Sequence, residues 1–321
     1  MDLEMKYVYA VYQENSFSQA AEKLFISQSA ISSMVRKAEK ELGCQIFDRS
    51  TIPFTLTPEG RFYIEQVEKI MRIEENIRMY FDDRKNMKTG YLKVGSSSFY
   101  SAYFLTNIMK SFQKRYPGIK VELKEGDGKE LKDFLLDGSI DFLFGTLPEA
   151  YFDKQTQNVF FAYEYLILVV PEHYSVNEKL KRYQIPIDNI LDNSFLEKRF
   201  PPIPLYELKD CPFVSLTKSG SELYHRTINI CRNAGFVPNI TQQLSQIMTA
   251  YFVAAAGEGV TLVRSSLFSV IKEKKGLIYY KIGDALAKRP IYITYSKERY
   301  MSRAMSAFLD FTAALPLRYH I

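Results

Sequence analysis

Small polar side chains and three cations share one side of the segment 28–40, a composition suited to contacts with nucleic-acid bases and phosphates. Apolar periodicity predicts a helix over Gln28–Leu42, and turning each residue by about 100° separates two faces. One face is apolar: Ile31, Val35, Ala38 and Leu42. The opposite face carries hydroxyls and cations: Ser29, Ser32, Ser33, Arg36, Lys37 and Lys40. A helix lying in a major groove presents such a face, although an ordinary solvated helix would explain the pattern equally well.

The segments around this helix favour the DNA-binding interpretation. Apolar spacing predicts a first helix over residues 3–14 and a short second helix that ends before Ser27, the N-cap of the third. The second helix would bury four side chains: Ala20, Ala21, Leu24 and Phe25. Residues 44–49 and 54–57 then form two short strands around a turn, which is the hairpin of a winged helix-turn-helix. Arg49, at the base of this wing, can reach the flanking DNA backbone or minor groove.

Net charge does not support this interpretation. The chain has a formal net charge of +5, yet residues 1–60 hold six Lys and Arg against eight Asp and Glu. The basic excess lies after residue 90, where there are 29 Lys and Arg and 23 Asp and Glu. DNA binding would therefore depend on which helix face carries the cations rather than on bulk charge.

Residues 16–60 resemble the N-terminal domain of LysR-type transcriptional regulators. The resemblance rests on many positions at fixed spacing: Phe17, Ala20, Ala21, Ser27, Gln28, Ser32, Glu39, Leu42, Gly43, Phe47, Arg49, Leu56, Thr57 and Gly60. Ser29 stands where the family usually has Pro, and Ser33 stands where it often has a long basic or amide side chain. The resemblance implies binding to double-stranded DNA through Gln28, Ser29, Ser32, Ser33, Arg36 and Arg49. The cap and the cationic face of the helix add Ser27, Lys37 and Lys40 as candidates.

A long amphipathic helix follows the wing. Pro58 starts it, and it is predicted to reach about Asn86, with an apolar stripe at roughly 3.5-residue spacing. The stripe contains Tyr63, Val67, Ile70, Ile77 and Phe81. No nearby segment of the small N-terminal unit could cover it, which favours pairing with a second copy over packing within its own domain. The resemblance also implies a dimer through this helix, further assembly to a tetramer, and contact with RNA polymerase.

Beyond residue 90, strands alternate with helices, which is typical of α/β domains with a parallel sheet. The layout resembles the two-lobed, periplasmic-binding-protein-like effector domain of the same family. The predicted fold class is therefore α+β and multi-domain: a winged helix-turn-helix, a long linker helix and a two-lobed α/β effector domain. The predicted bounds are residues 1–60, 58–89 and 90–321, with lobe 1 over about 90–170 and 265–321 and lobe 2 over about 171–264.

Hydroxyl residues at predicted strand ends mark a candidate site for a small-molecule effector. Such ends face the cleft between two α/β lobes, where hydroxyls and free backbone N–H groups suit carboxylates and phosphates. The candidates are Ser96, Ser97, Ser98, Thr146, Thr217, Ser219 and Arg264. Helix capping is the alternative for each Ser or Thr taken singly. Arg264, which stands where the family commonly has Pro, and the basic excess of this region favour an anionic effector.

No catalytic machinery is expected. The sequence contains no phosphate-binding glycine loop, HExxH or GxSxG pattern, and its three histidines are isolated. No CxxC pair is present either, so no metal or other cofactor is expected. Cys44, Cys211 and Cys231 are interpreted as free thiols in a reducing compartment, with a redox switch between the last two as the alternative.

Two features indicate the location of the protein. The N-terminal segment is charged and helix-patterned, and the longest apolar runs, 166–170 and 251–256, are far shorter than the roughly 18 residues of a membrane helix. A cytoplasmic protein without a membrane partner is therefore expected. Two alternatives stay open: a constitutive DNA-binding regulator with a ligand-free cleft, and a solute-binding protein. The absent signal sequence and the winged N-terminus weigh against the second.

Overall fold

The computed structural model describes residues 2–85, 90–146, 154–218, 222–271 and 276–315. It divides into two compact units, residues 1–87 together with 298–300, and the rest of the chain. Within the described residues, no helix is both long enough and apolar enough to span a bilayer.

The first unit begins with three helices, α1 (Leu3–Glu14), α2 (Phe17–Lys23) and α3 (Gln28–Leu42). Side-chain caps define their starts, because the first N–H groups of a helix lack backbone partners. Ser16 caps α2 by accepting from the Gln19 N–H at 3.3 Å. Ser27 caps α3 in the same way from the Ala30 N–H at 3.2 Å. Gly43 ends α3 with φ at +71°, a conformation that glycine adopts without strain.

The three helices enclose a small apolar core. Its fully buried side chains come from all three helices: Val8, Val11, Ala20, Ala21, Ile31, Val35 and Ala38. Two predicted core residues are not part of it. Phe25 lies in the turn after α2 with φ at +56° and is 95% exposed, and Leu42, the last residue of α3, is also exposed. Helical periodicity does not apply to Phe25, because the helix has already ended.

A short hairpin and a long helix complete the first unit. Strands β1 (Phe47–Asp48) and β2 (Thr55–Leu56) pair antiparallel as the wing, and α4 spans Pro58–Lys85. Gly60 allows α4 to start against the wing, since a Cβ there would lie 2.0 Å from the Ile46 carbonyl oxygen. Within the predicted stripe of α4, Val67 is buried, Tyr63 packs on the helical core, and Ile77 and Phe81 are exposed.

The second unit has α/β architecture. Its first half contains β3 (Gly90–Ser96), α5 (Ser98–Tyr100), a π-helical turn (Ser101–Leu105), α6 (Thr106–Arg115), β4 (Ile119–Glu125), α7 (Gly128–Leu136), β5 (Phe142–Gly145) and β6 (Thr156–Pro171). Its second half contains α8 (Val176–Lys179), α9 (Ile187–Leu191), β7 (Pro212–Leu216), α10 (Glu222–Asn233), β8 (Asn239–Leu244), α11 (Ile247–Ala255), β9 (Thr261–Arg264), β10 (Leu277–Lys281), β11 (Lys288–Ser296) and α12 (Arg303–Ala313).

Strand pairing defines two lobes that share β6. In lobe 1, β3 lies parallel to β4 and β5, and β11 lies antiparallel between β5 and β6. In lobe 2, residues 166–171 of β6 pair with β9 and β10, and β7 pairs with β8. Pairing thus groups 166–171 and 277–281 with lobe 2, whereas the sequence-based division placed 166–170 and 277–281 in lobe 1. The reason is that β6 is one 16-residue strand that runs through both lobes.

Candidate functional site

The solvent face of α3 is the first candidate site. Most of its predicted DNA-contacting side chains are exposed: Gln28, Ser29, Ser33, Arg36 and Lys40. Ser32 is half-buried. Among the described residues, Arg36 and Lys40 have no ion-pair partner. This face therefore presents hydroxyls, an amide and two uncompensated cations to solvent.

Three other predicted residues are already engaged within the first unit. Lys37 forms an ion pair with Glu4 and a longer one of 3.8 Å with Glu41, and the hydrogen bond to Glu4 raises the pKa of Lys37. Ser27 is the cap of α3. Arg49 donates to Glu39 at 2.9 Å and lies 5.2 Å from the centre of the Phe17 ring. These contacts hold the start of α3, its flank and the wing in place within the first unit.

Glu39 connects α3 to the wing. Its Oε1 accepts from the backbone N–H groups of Ile46 and Phe47, at 3.0 and 3.3 Å, while Oε2 accepts from Arg49. Phe47 also packs edge-on against Phe17, with 5.9 Å between the ring centres. The Glu-to-Arg spacing in the sequence thus reflects a contact that fixes the wing on α3.

The second candidate site is a cavity of about 720 Å³ between the two lobes of the second unit. Strand ends and helix starts of both lobes line it, as the sequence predicted. Five of the predicted effector residues are among the lining residues: Ser97, Ser98, Thr146, Thr217 and Arg264. Ser219 lies outside the described residues.

Ser96 is not part of this cavity, which corrects the sequence prediction. Its side chain is fully buried, and its hydroxyl donates to the Phe144 carbonyl at 2.7 Å. Ser96 therefore joins β3 to β5 within the sheet. The following residue turns the chain out of the strand, so that Ser97 is the first serine to line the cavity.

An ion-pair network centred on Arg289 forms the base of the cavity. Arg289, on β11, is 1% exposed and donates from Nη1 to Glu164 of β6 at 2.9 Å. From Nη2 it donates to Glu222 of α10 at 2.6 Å and to Thr146 after β5 at 2.5 Å. Arg226 also pairs with Glu222. The guanidinium of Arg289 therefore links lobe 1, the shared strand and lobe 2.

The network keeps Glu222 and Arg289 charged. Burial alone would raise the pKa of the Glu222 carboxyl, but Arg289 and Arg226 outweigh it and hold that pKa below its ordinary value. Burial alone would lower the pKa of Arg289, but Glu222 and Glu164 raise it. Tyr100 donates to Glu164 at 2.8 Å, and burial together with the Glu164 charge raises the pKa of Tyr100. Tyr100 therefore stays a neutral donor.

Sequence reasoning missed Arg289, Glu164 and Glu222, although one signal for them exists. Glu164 interrupts the apolar run of β6, from Phe160 to Val170. A carboxylate in such a run must be buried, and buried carboxylates need cationic partners. The pattern therefore demands an arginine or lysine on a neighbouring strand. It does not say which one, because Arg289 lies 125 residues away.

The cysteines show no reactive character. Burial raises the pKa of Cys231 to about 12, and burial also raises the pKa of the half-buried Cys211 thiol. Reactive thiols have a lowered pKa instead. The alternative of a redox switch between them thus gains no support. No cluster of possible metal ligands occurs in the part of the chain that the structure describes.

Comparisons with known proteins agree on one family. The model for bacterial regulatory helix-turn-helix proteins of the lysR family matches residues 3–61, and that for the LysR substrate binding domain matches residues 85–315. A Bacillus subtilis (strain 168) relative, the uncharacterized HTH-type transcriptional regulator YcgK, is 31% identical over 97% of this chain and 93% of its own. The HTH-type transcriptional regulator BenM of Acinetobacter baylyi is 27% identical over 90% of this chain and 88% of its own.

Solved structures agree with this fold. Full-length CbnR complexed with its target DNA has a TM-score of 0.61 at 20% identity, covering 98% of this chain and 99% of that chain. Full-length BenM has a TM-score of 0.55 at 25% identity, covering 98% of this chain and 96% of that chain. The matches to both domain models and to YcgK extend over almost the whole sequence. The chain therefore belongs to the LysR family of bacterial transcriptional regulators.

Proposed function

We propose that the protein binds operator DNA through α3 and the wing, and that a small molecule in the inter-lobe cavity modulates this binding. The exposed polar face of α3, with two uncompensated cations, is the observation that carries the proposal. Cations on such a face pair with phosphates, and the neighbouring hydroxyls and Gln28 reach base edges in the major groove. The structural relative CbnR, which is complexed with its target DNA, supports this use of the fold.

Genome-wide mapping of bound sites tests the proposal directly. We expect discrete sites with two related half-sites, and footprints that change when a metabolite which raises the thermal stability of the protein is added. Binding that follows phosphate density without sequence preference would contradict operator recognition. Footprints that stay identical under every stabilising metabolite would contradict modulation through the cavity.

The proposal includes dimerisation through α4. It also includes assembly of the dimers into a tetramer and contact with RNA polymerase. The large apolar side chains exposed on this helix are Phe62, Ile73, Ile77, Tyr80 and Phe81. A dimer would set two copies of α3 on two half-sites. Burial in a second copy would also remove this apolar surface from water.

The Ile77→Asp variant tests the dimer, since that side chain is 54% exposed in the single chain. Two copies of the variant would lose burial of two isoleucines, about 3 kcal/mol together, which weakens the dimer roughly a hundredfold. Sedimentation equilibrium measures this dissociation constant. Arg78→Asp is the matched control, because it places the same charge one residue along α4. Equal effects of both substitutions would exclude the stripe as the interface.

A further inference from the structure

Arg264 carries a buried positive charge that forms no ion pair with any described side chain. It is 9% exposed, it lines the cavity, and its Nε and Nη1 atoms have no hydrogen-bond partner among the described residues. A buried cation without a partner is costly, so proteins normally pair it or give it a ligand. Arg264 is therefore a group whose partner has to come from somewhere else.

The neighbouring carboxylates form no ion pair with Arg264, and each of their oxygen atoms already accepts from another group. Glu164 accepts from Ser266 at Oε1, at 2.5 Å, and from Arg289 and Tyr100 at Oε2. Glu222 pairs with Arg226 through Oε1 and with Arg289 through Oε2. The cluster of buried and half-buried charges at this cavity thus has three guanidinium groups, of Arg226, Arg264 and Arg289, and two carboxylates, of Glu164 and Glu222. The other carboxylates of the lining, Glu125 and Asp127, are exposed. One positive charge is left over, and it is the charge of Arg264.

Strand register explains why this charge faces the same space as the network. Arg289 lies opposite Glu164, and Arg264 lies opposite Leu166, two residues further along β6. Residues two apart on a strand share a face of the sheet, and so do cross-strand partners. The Arg264 guanidinium also stacks on the rings of Phe99 and Tyr100, at 5.0 and 4.6 Å from their centres. These rings hold the group in place without neutralising it.

We infer that Arg264 anchors a single carboxylate of the effector, so that the ligand class of this cavity is a monocarboxylate. The inference rests on the proposed function and specifies the chemistry of its ligand. One excess cation calls for one negative charge. Ser97 supports the assignment, because its hydroxyl is buried at the cavity without a partner in the described residues. The lining also includes apolar side chains that can contact the ligand body: Leu131, Leu143, Leu216, Leu223 and Ile247.

Matched acids and amides test the charge requirement on the full chain. Butyrate, hexanoate and phenylacetate are each compared with their carboxamides in thermal unfolding, and crystals soaked in bromide locate monoanion sites by anomalous scattering. We expect at least one acid to raise Tm by roughly 5 °C at saturation while its amide does not. We also expect a bromide ion beside Arg264.

The Arg264→Met variant separates a ligand role from a structural one. Because it removes an unpaired buried charge, we expect the Tm of the unliganded protein to stay the same or to rise. Both the response to carboxylates and the bromide site should disappear, and Arg264→Lys should restore part of each. Ser97→Ala is the milder variant, with a weaker response to carboxylates.

Three results would overturn the anchor: equal responses to the acid and its amide in all three pairs, retention of the carboxylate response in Arg264→Met, or no bromide beside Arg264. A marked fall of the unliganded Tm in Arg264→Met would also overturn it, because it would show that the guanidinium is paired within the fold. None of these results affects operator mapping. The proposed operator binding can therefore be correct even if Arg264 does not bind a carboxylate. If operator mapping fails, the ligand measurements can still be interpreted.

Discussion

Arg36 and Lys40 on α3 and Arg264 and Arg289 at the base of the cavity are all cations, but their surroundings are opposite. Arg36 and Lys40 lie in water, and no described residue forms an ion pair with them. Arg289 is fully buried and compensated by two carboxylates, and Arg264 is buried beside it without compensation. These cationic side chains are therefore hydrated and without a described ion pair on α3, and buried at the cavity.

The difference between the two sites lies in the cost of the charge. An exposed cation loses little hydration on folding, and its attraction for phosphates is long-range and weakened by salt. A buried cation has already lost its hydration, so the pairing is short-range, insensitive to salt and selective for the right geometry. DNA binding benefits from the first kind of charge, and recognition of one small molecule benefits from the second.

The largest expected effect of a single substitution is on stability, and it concerns Arg289, the buried cation that is paired with two carboxylates. Arg289→Met leaves Glu164 and Glu222 buried without their shared partner, so we expect the free energy of unfolding of the second unit to fall by about 3–5 kcal/mol. Urea unfolding measures the loss. The double variant Arg289→Met with Glu164→Gln should recover part of it, because it removes one of the stranded charges. If Arg289→Met and Arg264→Met destabilise equally, the distinction between compensated and uncompensated cations is lost.

A second prediction concerns the exposed side and uses two neighbouring residues. Arg36→Ala should weaken operator binding roughly tenfold and reduce the salt slope by about one, since a free cation is removed from the phosphate contact. Lys37→Ala should have a smaller effect, because Lys37 is already paired with Glu4 and Glu41. Fluorescence anisotropy across a salt series measures both. A larger effect of Lys37→Ala would mean that the ion pair with Glu4 opens on DNA.

Local patterns carried much of the sequence-based prediction. Residues 28–42 and 3–14 match the observed α3 and α1, because caps and apolar periodicity act within a few residues. The serines after β3 were placed at the cavity for the same reason, apart from Ser96, whose hydroxyl bonds to a neighbouring strand. The sequence places the end of a strand only to within one or two residues. A shift of one residue decides whether a side chain is buried in the sheet, as Ser96 is, or lines the cavity, as Ser97 does.

Long-range pairing is what local patterns could not supply. The sequence predicted Arg264 as an effector residue from its position. It did not predict that Arg264 would lack an ion pair, because that depends on Glu164 and Glu222 pairing with Arg289 and Arg226 instead. Arg289 is 125 residues from Glu164 and 67 residues from Glu222 in the sequence. Their register is set by the antiparallel pairing of β6 with β9 and β11, which no short segment specifies.

The smallest predicted effect separates the two contributions of Glu222, its charge and its hydrogen bonds. Arg289 and Arg226 hold the pKa of Glu222 below its ordinary value of 4.5 against the opposing effect of burial. A lowered folded-state pKa contributes stability above the ordinary value, and this contribution is lost as the pH falls through the folded value. Glu222→Gln should therefore be less stable than the wild type at pH 7, with a difference that narrows below about pH 4.5. Urea unfolding from pH 7 to pH 3 measures it.

The exposed Glu122 provides the matched control for that experiment, since Glu122→Gln removes a carboxylate that faces solvent on β4. Its unfolding free energy should follow the wild type closely across the pH range, because exposed charges contribute little. If the gap between wild type and Glu222→Gln stays constant with pH, the contribution of Glu222 comes from hydrogen-bond geometry alone. The charge count at the base of the cavity would then have to be revised, and with it the single excess charge assigned to Arg264.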